Sequence, residues 1–160
     1  MASWCDSWIG SSNKLVAKYA DGSDNSVFDL AGDKQVFYVS LEGGYAASDN
    51  FIIDYLASYK DISGDDVDKD VSEYSFITRP QYQWNEIHST WLEAGYAMED
   101  FDDGGEKDGW KVTLSQNISL GGLPWSRPMV RLYVTTGEVT DVDNTKTDTT
   151  TVGAMFEAWW

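Results

Sequence analysis

The stretch Ser126-Arg127-Pro128-Met129-Val130-Arg131-Leu132-Tyr133-Val134-Thr135-Thr136 changes character at almost every step. Pro128, Val130, Leu132 and Val134 fall on one side of an extended chain, and Arg127, Met129, Arg131, Tyr133 and Thr135 on the other. Successive side chains of a strand point to opposite faces, so this period of two specifies a β-strand with one greasy and one polar face. An amphipathic helix needs apolar residues three and four apart, and the chain lacks that spacing.

The same alternation recurs in segments of about ten residues. Val152, Ala154, Phe156, Ala158 and Trp160 oppose Thr151, Gly153, Met155, Glu157 and Trp159. Phe51, Ile53, Tyr55, Ala57 and Tyr59 oppose Ile52, Asp54, Leu56, Ser58 and Lys60. Tyr74, Phe76, Thr78, Pro80, Tyr82 and Trp84 oppose Ser75, Ile77, Arg79, Gln81 and Gln83. Further strands are expected at 35–45, 87–98 and 109–118, and a first one at 13–20. In that first one Leu15, Ala17 and Tyr19 are only modestly more apolar than Val16, Lys18 and Ala20, so its facing is open. The expected organisation is a single domain over 1–160, with eight strands in 13–160 and an irregular segment or remnant of a ninth strand, Ser3 to Ile9, within 1–12.

Composition narrows the class. The 160 residues carry 27 acidic and 11 basic side chains, a net charge of −16. Nucleic-acid phosphates and anionic headgroups select clustered Lys and Arg, so neither is an expected partner. The one cysteine, Cys5, excludes an internal disulfide framework and a cysteine zinc cage. The one histidine, His88, argues against a histidine metal site or a catalytic triad, and its parity places it at the greasy-side rim. No cofactor or metal is expected. No run of about 18 apolar residues encodes a transmembrane helix, and any export signal is expected outside this chain. Mean hydropathy is low, −0.40, yet 14% of residues are aromatic, including 8 Trp. A disordered acidic chain is poor in aromatics, which leaves a soluble all-β domain or a transmembrane β-barrel.

The connections favour the barrel. Segments 21–34, 61–73, 99–108 and 137–148 are long and hold 20 of the 27 acidic residues. They alternate with short links near 46–50, 85–86 and 119–124. In an antiparallel up-and-down barrel this puts every long loop at one rim and every short turn at the other, as in outer-membrane barrels with short periplasmic turns and long extracellular loops. A terminal aromatic, Trp160, at the periplasmic rim sets the same orientation. The acidic run Asp65, Asp66, Asp68, Asp70 lacks EF-hand spacing and reads as solvated loop, bridged to lipopolysaccharide by divalent cations. On the greasy face Tyr59, Trp84, Tyr96, Trp110 and Trp160 gather near strand ends, as interfacial girdles do.

Five stretches together resemble the C-terminal portion of the maltoporin family, trimeric sugar-specific porins of Gram-negative outer membranes. They are Phe76-Ile77-Thr78-Arg79-Pro80-Gln81-Tyr82-Gln83-Trp84, Ser89-Thr90-Trp91-Leu92-Glu93-Ala94-Gly95-Tyr96, Trp110-Lys111-Val112-Thr113-Leu114-Ser115-Gln116, Pro124-Trp125-Ser126-Arg127-Pro128-Met129-Val130-Arg131-Leu132 and Val152-Gly153-Ala154-Met155-Phe156-Glu157-Ala158-Trp159-Trp160. The resemblance implies part of a wide barrel that passes malto-oligosaccharides along a slide of lumenal aromatics. Trp125 and Trp159 match two slide positions. By parity alone Arg127, Arg131, Tyr133, Glu93 and Arg79 are lumenal polar contacts for sugar. The expected function is passive diffusion or binding of malto-oligosaccharides in a full-size pore, without catalysis, with a homotrimer as in the family. Eight strands closed on themselves leave an interior filled by side chains. This keeps open a plugged structural membrane barrel without transport, or strands whose edges need partners. The third reading is a soluble β-barrel binding protein, in which the greasy face turns inward.

Overall fold

The computed structural model describes residues 2–6, 11–23, 30–64, 70–120 and 126–158. These form one antiparallel sheet: β1 (Ala2–Asp6), β2 (Ser11–Ser23), β3 (Leu30–Ser48), β4 (Phe51–Ser63), β5 (Val71–Gln83), β6 (His88–Phe101), β7 (Glu106–Ser119), β8 (Met129–Thr140) and β9 (Lys146–Glu157). Each strand pairs with its neighbours in sequence, β1 through β9, an up-and-down meander. The eight expected strands are β2 to β9, and the segment read as a remnant supplies the short β1, while residues 7–10 lie outside the described set. Among the described residues no ladder joins β1 to β9, so the sheet keeps two free edges rather than closing as a filled eight-stranded barrel.

The register carries the alternation across the sheet. Leu114 faces Val134, which faces Val152, and Tyr96 faces Trp110. On the other side Ser115 faces Tyr133, which faces Gly153. Residues 13–20 settle with Leu15 opposite Leu41 and Tyr19 opposite Phe37 on the greasy face, while Val16 lies opposite Ser40, both buried. His88 is exposed on the greasy side, as parity required.

Burial is inverted relative to a water-soluble protein. Phe156 is 68% exposed, Leu132 51% and Phe76 50%, whereas Asn117, Ser119, Ser89 and Ser115 are all 4% exposed or less. Each large apolar side chain moved from water to an apolar medium gains about 1.5–3 kcal/mol. Leaving this many in water would forfeit more than the ~5–15 kcal/mol by which folded domains are typically stable. Acyl chains supply that medium, and the soluble reading, which needs these residues inside, is overturned.

Aromatic rings mark the edges of the greasy band. Tyr59 packs on Tyr74 with centroids 5.1 Å apart and on Phe37 at 6.4 Å, and its hydroxyl reaches Asp61 and Ser72 beyond. Toward the opposite edge Tyr82 meets Trp84 edge-on at 4.7 Å. From Tyr74 to Tyr82 along β5 is roughly 26 Å at strand rise. Tilted by about 40°, that gives roughly 20 Å of height, near the ~25 Å apolar band of outer-membrane barrels.

The acidic segments differ from the expected loops. Strands run on into them: β6 and β7 pair to Asp100 opposite Glu106, and β8 and β9 to Thr140 opposite Lys146. Between these two strand pairs Asp102–Gly105 and Asp141–Thr145 are left as turns. Backbone ladders continue wherever water satisfies both faces of a strand, and threonines such as Thr147, Thr149, Thr150 and Thr151 favour extension. Gly104 (φ 83°) and Asn144 (φ 62°) take the left-handed conformation that turns the chain.

In the second turn Thr145 donates its backbone N–H to the Asp143 carboxylate at 2.8 Å, and Asn144 N–H bonds the Asp141 carbonyl at 2.8 Å. Hydrogen bonds from the Thr145 side chain and backbone hold the Asp143 carboxyl below its ordinary 3.8, and pairing with Glu138 keeps Lys146 protonated above 10.5. A depressed carboxyl stabilises the turn above its unfolded value and loses that contribution as pH falls through the folded one. Protection of the 141–145 amides, the exchange rate measured against the intrinsic rate at each pH, is therefore expected to stay constant from pH 5 to 8 and to fall below about pH 4, with Asp143→Asn removing the acid step. Protection that is insensitive to acid would show that the Asp143 contacts do not hold the turn.

Candidate functional site

The polar face gathers charge near the middle of β4 to β9. Pro80 has no N–H to give, and the β5–β6 ladder skips from the Thr78–Ala94 pair to the Gln81–Trp91 pair. Arg79 and Glu93 meet across that gap: Arg79 donates from Nε to Glu93 Oε2 at 2.9 Å and again from Nη2. Lys111 on β7 approaches the other Glu93 oxygen at 3.9 Å. Next to them Gln81 donates its amide to Asp54 on β4.

Trp91 is the centre of the group. It is 6% exposed, with the Arg131 guanidinium over its ring at 4.4 Å and that of Arg79 at 5.6 Å. Arg131 Nε donates to the Asn117 amide oxygen at 2.9 Å, and Asn117 is fully buried. Toward the start of β8, Arg127 pairs with Glu157 of β9 at 2.5 Å. A cavity of about 400 Å³ lies among Ile52, Asp54, Arg79, Gln81, Trp91, Arg127, Arg131 and Glu157. A larger one, about 730 Å³, adjoins it through Asp54 and Arg79 and reaches Lys14 and Glu42.

Of the residues expected to contact a solute, Arg79, Glu93 and Arg131 converge around Trp91, and Arg127 stands beside them on the same cavity. Tyr133 shares the face but turns sideways: a Cβ on Gly153 would sit 2.5 Å from its Cζ, so the ring lies over that glycine. Trp125 and Trp159 lie outside the described residues, as do Asp65, Asp66 and Asp68. Glu93 and Glu157 each serve an arginine, an arrangement that neutralises charge rather than pairing two carboxyls for hydrolysis. Asp54, Trp91 and Asn117 belong to the group although the sequence alone does not mark them as solute contacts. Register finds them: Asp54 lies opposite Arg79, Asn117 lies opposite Arg131, and the Gln81–Trp91–Ser115–Tyr133 row runs between the two arginines.

Among the described residues no three acidic, histidine or cysteine side chains stand close enough to hold a metal. The chemistry available is hydrogen bonding and charge, donated by guanidinium and indole and accepted by carboxylate and amide, beside the buried Trp91 ring.

A meandering antiparallel sheet, greasy toward lipid and charged within, defines a β-barrel protein of the bacterial outer membrane. Comparison with known proteins agrees. The chain belongs to the LamB porin family, whose model it matches over residues 1–160. It is 33% identical over 148 residues to a maltoporin of Hahella chejuensis (strain KCTC 2396), an alignment covering 91% of this chain and 36% of that relative. The chain thus spans about a third of the length of that maltoporin. Among solved structures it resembles in-vitro folded OmpT, an outer membrane protein of Vibrio cholerae, with a TM-score of 0.61 and 15% identity. A loop L8 deletion mutant of OmpT gives 0.65 and 12%. Each alignment covers 95% of this chain and 51% of the OmpT chain. At such identities the likeness speaks to fold alone.

Proposed function

We propose that this sheet is part of the wall of a sugar-conducting pore, through which malto-oligosaccharides diffuse passively and without catalysis. The charged group around Trp91 carries the reading. A filled, inert interior needs complementary side chains and nothing more, whereas this face presents arginine, glutamate and amide groups on open cavities of about 400 and 730 Å³. Sugar hydroxyls both give and accept hydrogen bonds, so mixed donors and acceptors suit them, and weak serial contacts let a solute leave as readily as it enters.

In this reading Trp125 and Trp159 stack on the apolar faces of pyranose rings. Arg127, Arg131, Glu93 and Arg79 bind hydroxyls, and Tyr133 joins them by swinging away from Gly153. The acidic hairpins face the exterior, next to lipopolysaccharide, and the short turns face the periplasm. Further strands complete the barrel at its two free edges, and three barrels associate as in the family.

The test is maltotriose binding to the folded protein in detergent, read by titration calorimetry. Trp125→Ala and Trp159→Ala are each expected to weaken binding about fivefold, equivalent to ~1 kcal/mol. Unchanged affinity in both variants would remove the stacking role. Absence of any maltotriose binding to the parent would remove the sugar-pore reading itself.

A further inference from the structure

The three lumenal arginines are not equivalent. Arg79 is held by Glu93 and Arg127 by Glu157. Arg131 has one hydrogen bond, from Nε to Asn117, and its guanidinium rests on the Trp91 ring. Among the described residues no carboxylate lies within ion-pair distance of it, and its Nη1 and Nη2 amines have no acceptor. The Trp91 indole Nε1 is buried beside it and is likewise without an acceptor. Both residues line the cavity of about 400 Å³.

Charge points the same way. Arg79, Arg127, Arg131 and Lys111 face Asp54, Glu93 and Glu157, which leaves one positive charge in excess inside a chain of net −16. The nearby lumenal pairs Lys14–Glu42 and Lys60–Glu73 add none. Along β8 the acidic hairpin begins at Glu138, ~23 Å from Arg131 at strand rise. That is well past the ~8 Å over which charge is felt at physiological salt. The local surplus therefore sets the preference of the cavity.

We propose that this cavity is a subsite for an acidic saccharide, its carboxylate taken by the Nη1/Nη2 fork of Arg131 with the Trp91 indole N–H as a further donor. It rests on the sugar-pore reading and narrows it to uronate-bearing chains at this position. A guanidinium presents two parallel N–H groups in the geometry of a carboxylate's two oxygens. The Trp91 ring beneath holds the fork in place, so little freedom is lost on binding. A neutral hydroxyl can occupy the same donors but leaves the surplus charge unmet.

The experiment titrates the full chain, folded in detergent micelles, with trigalacturonate and with maltotriose at about 50 mM and about 500 mM NaCl. Trigalacturonate is expected to bind about tenfold more tightly at low salt, and that advantage should shrink at least threefold at high salt. In Arg131→Gln the ratio of the two affinities should fall to about one, while Arg131→Lys, keeping charge without the fork, should retain part of it. The ratio is indifferent to a general loss of folded protein, and if a variant does not fold the salt dependence of the parent decides. Equal affinities, or an advantage insensitive to salt, would overturn the acidic subsite while maltotriose binding left the pore reading intact. Failure of both sugars to bind the parent would overturn both.

Discussion

Arginine at Val134 is expected to destabilise the folded sheet in a bilayer by about 2–4 kcal/mol, while arginine at the adjacent Thr135 costs about 1. Val134 sits on the greasy face between Leu114 and Val152, 40% exposed toward lipid. A guanidinium there must be carried into hydrocarbon or reach the interface at the expense of packing. Thr135 is one step along the same strand but points into the lumen, where its hydroxyl meets Thr113 at 2.8 Å. An arginine there loses that hydrogen bond and finds water and carboxylates instead. Urea titration of both variants in phospholipid vesicles, followed by tryptophan fluorescence, measures the difference. Equal costs, or the larger one at Thr135, would mean that the two faces have been assigned the wrong way round.

Glu93→Gln should produce the largest change in the lumen. One carboxylate there holds Arg79 through two donors and Lys111 at longer range. Removing one partner of a fully buried ion pair costs about 3–5 kcal/mol, chiefly because the other charge is stranded. Glu93 is 24% and Arg79 37% exposed, so water takes up much of that charge and the loss falls to about 1–2 kcal/mol. In the proposed pore ion selectivity should move with it, since fixed lumenal charges set which ions enter. In planar bilayers the cation-to-anion permeability ratio, read from the zero-current potential, should drop by roughly twofold or more, and Glu93→Asp should preserve most of it. A variant as stable as the parent and equally selective would show that Glu93 does not anchor this group.

These expectations depend on knowing which face each residue takes, and that was legible in the sequence. Arg131 and Leu132 were told apart by alternation alone, and the sheet puts Leu132 toward lipid and Arg131 on Trp91. Partners were less legible. Parity says that Arg79, Glu93 and Arg131 share a face, but not that Trp91 stands between the two arginines. That follows from the register of β5 to β8, set by turn lengths and by the interruption at Pro80. Alternation gives the face of Tyr133 but not its posture over Gly153, a matter of the empty space left by the glycine paired with it on the next strand. The acidic segments misled for a different reason. Asp and Glu are scarce in strands because most strands have a buried side; beyond the membrane β8 and β9 have none, and Glu138 and Lys146 form a cross-strand ion pair at 2.8 Å instead.

The two free edges have a thermodynamic consequence. Along the outer side of β9, the amide groups of Lys146–Glu157 that point away from β8 have no ladder to join among the described residues. In hydrocarbon each such group costs several kcal/mol, so β9 and β1 can rest in a membrane only when another extended segment is stitched to them. Denaturation midpoints for this sheet in lipid should then follow the supply of that segment by mass action, rather than being a property of these residues by themselves.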